Sequence, residues 1–189
     1  MSPGGHLVIT TAAAVASALL TGSTEVTVGV AVGGFLIDLD HLVDYVLVER
    51  QRDLRPAAFL RYYVEGRTQL AVLVLHSYEL FALLGALLWW TDAPLLAGYL
   101  MGALIHLALD IAFNGRLTSR SIVAFYSFGY RMAHGFRMAT LFGENASGPV
   151  PGGFWPAFFR ECAGMRATGH SAESSQTGSH VRIGRPAAP

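Results

Sequence analysis

Gln69 to Trp90 reads QLAVLVLHSYELFALLGALLWW, and after Thr91, Asp92 and Ala93 the chain resumes at Pro94 to Phe113 as PLLAGYLMGALIHLALDIAF. Each stretch has about the 20 residues that a helix needs to cross the hydrocarbon core of a bilayer. Trp89 and Trp90 close the first one. Indole rings favour the headgroup layer, so this pair marks the far end of a span, and the tight turn that follows makes the two stretches a transmembrane hairpin.

Upstream, Leu7 to Leu20 and Val26 to Ile37 are shorter apolar runs separated by the turn residues Thr21, Gly22, Ser23 and Thr24. They read as a second hairpin, although their lengths would also suit buried helices of a soluble all-α domain. The second run continues through the more polar Asp38 to Val48, which emerges into the interface. Met1 to Gly5 has no Lys or Arg to form the basic start of a signal peptide, and another apolar run follows almost at once. Leu7 to Leu20 is therefore read as the first span.

Composition agrees with a lipid environment. Of 189 residues, 52% are hydrophobic and 14% charged, against roughly a quarter charged in an ordinary soluble protein. The formal net charge is zero, which argues against nucleic acid as a partner. A lone Cys162 can form no internal disulfide and no cysteine zinc motif.

Arginines orient the spans, because loops carrying them near span ends stay in the cytoplasm. None precedes Arg50. Arg50, Arg52, Arg55, Arg61 and Arg67 follow the second span, and Arg116, Arg120, Arg131 and Arg137 follow the fourth, while the turns at Thr21 to Glu25 and Thr91 to Pro94 have none. Both termini and the central loop are thus expected inside a bacterial or archaeal cytoplasmic membrane.

Ser121 to Phe142 mixes aromatic residues with Arg131 and Arg137, as an interfacial helix on the inner surface would, or a fifth buried helix under the bundle. Beyond the aromatic group Phe154, Trp155, Phe158 and Phe159, composition shifts to Ser, Gly, Ala and Thr. The expected architecture is all-α: a polytopic membrane bundle of about four transmembrane helices plus a C-terminal interfacial helix, within a domain of residues 1–160. A disordered tail is expected over 161–189.

Against this apolar background stand His76, Glu79, His106 and Asp110, all within expected spans. A charged group at the bilayer centre costs about 2.5 to 3.5 kcal/mol on insertion scales, so such residues face a cavity, a partner or an ion. His106 and Asp110 are four apart and His76 and Glu79 three apart, so each pair shares a helix face. At the inner end of the second span lie Asp38, Asp40, His41 and Asp44, and His6 begins the first. The topology puts His6, Asp38 to Asp44 and Asp110 at one depth, with His76 about eight residues, or roughly 12 Å, into its span and His106 similarly deep. A pocket opening inward results.

Imidazole and carboxylate ligands in this number suit zinc, with manganese or iron as alternatives, and one or two ions. The expected ligands are His6, Asp38, Asp40, His41, His76, His106 and Asp110. Glu79 and Asp44 are read as catalytic, orienting ligand imidazoles or serving as a general base. Such a centre lowers the pKa of a water and polarises a phosphoryl or carbonyl oxygen, which points to hydrolysis.

With His6, then Gly33, Gly34 and Asp38-Leu39-Asp40-His41, then His76-Ser77, then His106-Leu107-Ala108-Leu109-Asp110, the chain resembles the membrane-bound predicted metal-dependent hydrolases over roughly residues 6 to 113. That family is in turn similar to the soluble zinc-dependent phospholipase C group, an all-α fold. The resemblance implies cleavage of a phosphoester, a small molecule or a lipid, with membrane lipid as surroundings. Two other classes stay open: a metal or proton transporter, and a non-catalytic membrane interaction protein with a polar network that fixes helix packing. The apolar outer halves Leu83 to Leu88 and Leu95 to Leu100 count against transport.

Overall fold

The computed structural model describes residues 2–114, 121–142 and 153–159. Arg116, Arg120, Cys162 and the expected tail at 161–189 lie outside the described residues. Within them the chain is helical, with an isolated antiparallel bridge between Leu70 and Arg137 as the only extended pairing.

Helix α1 (Pro3–Thr21) starts where the Ser2 hydroxyl accepts from the Gly5 amide and Pro3 presets the first turn; it ends at Gly22, whose φ of 63° suits a residue without Cβ. Ser23 caps α2 (Thr24–Phe35) in the same way through the Val26 amide. From there a 3-10 turn (Leu36–Asp38), α3 (Leu39–Val43) and a π turn (Asp44–Val48) continue the axis as one 25-residue rod, Thr24–Val48. Together with α6 (Pro94–Asn114) these make three helices long and apolar enough to cross a membrane. At one end of the bundle Leu19, Leu20, Trp89 and Trp90 are more than four-fifths exposed, bare apolar surface that lipid would cover.

The rod and α6 approach through glycine. On α2, Gly29 and Gly33 face the backbone carbonyls of Leu95 and Tyr99; on α6, Gly98 and Gly102 face those of Val26 and Val30. A Cβ at any of the four would run into main chain. The two Gly-x-x-x-Gly pairs allow the helix backbones to touch, which is how helices gain packing energy in lipid, where burial of apolar surface contributes little. Gly34 is similarly covered by Thr10 of α1, whose hydroxyl donates to the Gly34 carbonyl at 3.3 Å.

The third expected span is not one helix. Only Tyr78–Thr91 (α5) is helical, 14 residues or roughly 21 Å. Gln69 to Ser77 runs irregularly into a 3-10 turn at Val74–His76, with Leu73 at φ 45°. Hydropathy cannot separate these cases, because it weighs side chains while this segment is shaped by what its backbone bonds to. Nor is Ser121 to Phe142 one interfacial helix. It forms α7 (Ile122–Phe125), α8 (Phe128–Ala133) and α9 (Met138–Phe142), broken where Ser127 caps α8 and where Gly135 and Phe136 take positive φ. Arg131, expected on an interfacial or a fifth buried helix, has no exposed area. The amphipathic α4 (Pro56–Val64) and α10 (Phe154–Phe159) pack together, and α10 also sets its Phe159 ring against Gly4 at the start of α1.

Candidate metal centre

Four elements deliver the polar residues to one place: α1 brings His6, the rod brings Asp38, Asp40 and His41, the irregular segment brings His76, and α6 brings His106 and Asp110. These fall into three overlapping groups that could hold an ion: His6, His106 and Asp110; Asp38, His76 and His106; Asp40, His41 and His76.

The middle group has the best defined geometry. His106 Nδ1 lies 3.0 Å from the Gly34 carbonyl, which can only accept, so that nitrogen carries the hydrogen. His76 Nδ1 lies 3.0 Å from both oxygens of Asp40, again on the donor side. Each imidazole therefore turns the lone pair of Nε2 inward. The two Nε2 atoms are 3.4 Å apart, and Asp38 Oδ1 is 3.5 Å from His76 Nε2 and 3.3 Å from His106 Nε2. Three lone pairs converge with no donor between them, an arrangement that a cation relieves. Ligands at about 2.0 to 2.1 Å from a tetrahedral zinc lie roughly 3.3 to 3.4 Å from one another, close to this triangle. Histidine anchored through its other nitrogen to a carboxylate or carbonyl is also how metal-binding imidazoles are held.

Asp110 adjoins this triangle, with Oδ2 at 3.5 Å from His106 Nε2 and 3.8 Å from His76 Nε2. Its Oδ1 meets His6 Nε2 at 3.0 Å and accepts from Asn114. The His6 ring stacks on His106 at 3.9 Å between centroids, so the two oxygens of Asp110 serve two parallel imidazoles. His41 packs edge-on against His76, with Nε2 at 3.8 Å from Asp38 Oδ1. The Nδ1 atoms of His6 and His41 are buried with no hydrogen-bond partner among the described residues. Buried polar atoms in that state cost about 1 to 3 kcal/mol each, so a ligand at the centre would suit them. Access is uneven: the side chains of His76 and His106 are sealed, while that of Asp38 is 43% exposed. The centre opens at Asp38.

His76 reaches this place because the irregular segment is gripped on both sides. Glu49 accepts from the Gln69 and Leu70 amides, Asp44 from Val72 and Leu73, and Asp40 from Leu75 and His76. Two acids of the rod and Glu49 just past its end thus take six backbone N–H groups, in pairs three residues apart. On the carbonyl side, Arg131 donates from Nε to Val72, from Nη2 to Leu73, and from Nη1 to His76 and Phe125. The Phe125 and Phe128 rings stand 5.5 and 6.0 Å from the guanidinium. Unsatisfied backbone groups away from water cost several kcal/mol each, and this clamp, together with the backbone bonds from Ala71 to the Phe136 carbonyl and from Met138 to the Gln69 carbonyl, lets non-helical chain persist here.

All seven expected ligands come together, then, and the two residues read as catalytic do not join them. Asp44 is occupied by the Val72 and Leu73 amides. Glu79, at the start of α5 and not on a helix face shared with His76, accepts from the Ser127 hydroxyl and the Phe128 and Gly129 amides, fixing the start of α8.

Three neighbours of the centre carry no motif or spacing that would single them out in the sequence. Arg131 stands in a stretch that reads equally as an interfacial or a buried helix; burial lowers its pKa, partly offset by Asp40, Glu79 and Asp44. Tyr126 bonds to Asp110 and Asn114, and burial, followed by the Asp110 charge, pushes its phenol well above the ordinary value. Tyr63 donates to the His41 carbonyl at 2.6 Å, and burial, followed by the Asp44 charge, raises its pKa as well. Its neighbour Tyr62 donates to Glu49, just past the end of the rod, at 2.8 Å. No protein-family model, curated protein or solved structure matches the chain.

Proposed function

We propose that this protein is a membrane-embedded, metal-dependent hydrolase of a phosphoester, working at the cytoplasmic side of a bacterial or archaeal inner membrane with both termini inside. The observation that carries the reading is the triangle of Asp38 Oδ1, His76 Nε2 and His106 Nε2, with both imidazoles anchored through Nδ1. The arginine pattern supports the orientation, since Arg50, Arg52 and Arg55 directly follow the end of the rod that bears Asp38 to Asp44.

The donor set fits zinc, with manganese or iron as the other candidates, and His6 with Asp110 offers room for a second ion. Bound there, the metal would acidify a water and polarise the phosphoryl oxygen. The chain's own residues would do the rest. Asp40 and the Gly34 carbonyl hold the imidazoles in the tautomer that offers Nε2. Asp110, bonded to His6, Asn114 and Tyr126, keeps a carboxylate edge toward the centre. His41, partly exposed beside Asp38 and with Nδ1 unpartnered, is the group available to carry a proton to or from the reacting oxygen. Asp38 lies at the mouth, where a substrate head would enter.

Metal analysis of the detergent-purified protein tests the reading. About one to two equivalents of zinc are expected in the unsubstituted protein, with most of it lost, together with phosphodiesterase or phosphomonoesterase turnover, in His106→Ala and Asp110→Ala. Absence of metal, or variants indistinguishable from the parent, would end the hydrolase reading.

A further inference from the structure

Arg131 has no exposed area, and no salt bridge joins it to a carboxylate among the described residues. Among the described residues its four hydrogen bonds all go to backbone carbonyls, and three of those belong to the five residues that end in His76. A guanidinium satisfies such a set because its donors spread in a rigid planar fork. The segment it holds contains Leu73 at φ 45°, a conformation that a side-chain-bearing residue rarely adopts and that persists only when surroundings impose it. Asp44 binds the Leu73 amide and Arg131 binds the Leu73 carbonyl, so this residue is fixed from both sides. His76 is fixed likewise: Asp40 takes its amide and its ring Nδ1, and Arg131 takes its carbonyl.

Arg131 is itself anchored. It sits in α8, and Glu79 of α5 binds the Ser127 hydroxyl and the Phe128 and Gly129 amides at the start of that helix. α5 begins two residues after His76, so a closed path of bonds runs from Glu79 through α8 and Arg131 back to His76.

We propose that Arg131 is a positioning residue of the metal centre, holding Val72 to His76 in their non-helical course so that His76 Nε2 meets Asp38 and His106. This rests on the metal-binding reading above. Arg131 is not one of the residues grouped to hold an ion, and its donors are taken up by the backbone carbonyls of Val72, Leu73, His76 and Phe125. Losing it frees the segment on its carbonyl side, and His76 leaves the triangle.

The test is Co(II) titration of the full chain in detergent, read by visible d–d absorption, which reports the number and type of ligands, alongside far-UV circular dichroism. Four proteins are compared: parent, His76→Ala, Arg131→Met and the double variant. Arg131→Met is expected to weaken Co(II) binding about 10- to 100-fold, the range for residues that orient ligands, and to reproduce the His76→Ala spectrum. The double variant should bind no more weakly than His76→Ala, because both changes remove the same ligand. Parent affinity and spectrum in a folded Arg131→Met, or losses that add in the double variant, overturn the proposal. If Arg131→Met does not fold, Arg131→Lys takes its place. It keeps the buried charge but not the fork, and should lose about tenfold. Parent-like binding in that variant, or failure of both to fold, also overturns it. Should the parent bind no Co(II), the metal reading falls and this proposal with it; should binding depend on His76 but not on Arg131, only this proposal falls.

Discussion

A single carboxylate, Asp40, performs two tasks for His76: it accepts from the Leu75 and His76 amides and holds the ring Nδ1 at 3.0 Å. Asp40→Asn replaces one accepting oxygen with a donor, which must face either a backbone N–H or the ring N–H. The expected result is a 10- to 100-fold weaker metal site with helical content unchanged, measured by competition against a chromophoric chelator. The sign of the pH effect follows from the same geometry. The inward Nε2 atoms bind metal only when deprotonated, so affinity falls as pH falls, in both parent and variant. Asp40, Asp44 and Glu79 also mark the limit of sequence reading at this scale. All three are acids among apolar residues, and spacing alone does not tell which meets an imidazole, which meets backbone amides and which caps a neighbouring helix. His106 and Asp110 were legible because four residues on a regular helix define a face without help from elsewhere.

Among the elements, the contact between α2 and α6 decides where His106 stands. Gly33 lies against the Tyr99 carbonyl, and its neighbour Gly34 supplies the carbonyl that orients His106. Gly33→Leu must push α6 off the rod. It is expected to destabilise by at least the ~1 to 3 kcal/mol of core overpacking, seen as a lower thermal midpoint in detergent, and to release bound metal by separating His106 from Asp38. The helices α1 and α6 and the apolar part of the rod were readable from hydropathy, and the two Gly-x-x-x-Gly pairs stand in the sequence, unremarked until their partners were known. Gln69 to Ser77 has the hydropathy of a helix and does not form one, for a physical reason. Val72, Leu73, Val74 and Leu75 look like span interior, yet their course is set by Glu49, Asp44 and Asp40 on one side and Arg131 on the other, contacts 20 to 59 residues away in sequence.

For the molecule as a whole, polar chemistry is gathered at one end of the long helices, while Leu19, Leu20, Trp89 and Trp90 protrude at the other. With Cys162→Ser as background, Thr91→Cys and Asp53→Cys should react from opposite faces of the membrane with an impermeant thiol reagent in intact cells and inverted vesicles. Thr91→Cys is expected to react in intact cells and Asp53→Cys in inverted vesicles; the reverse pattern, or labelling of both from one face, would refute the orientation drawn from the arginines.

The backbone grip on residues 69–76 has a consequence for synthesis. Its amide partners, Asp40, Asp44 and Glu49, leave the ribosome before it, whereas Arg131 and the Phe136 carbonyl, which accepts from Ala71, come roughly 55 to 65 residues later. A nascent chain can therefore insert α1, the rod and α6 while His76 is still unplaced, and the centre closes only once α8 has docked. A chain ended at Asn114 is expected to integrate into membranes as the full chain does yet retain no zinc, a separation that metal analysis of the two membrane fractions would reveal.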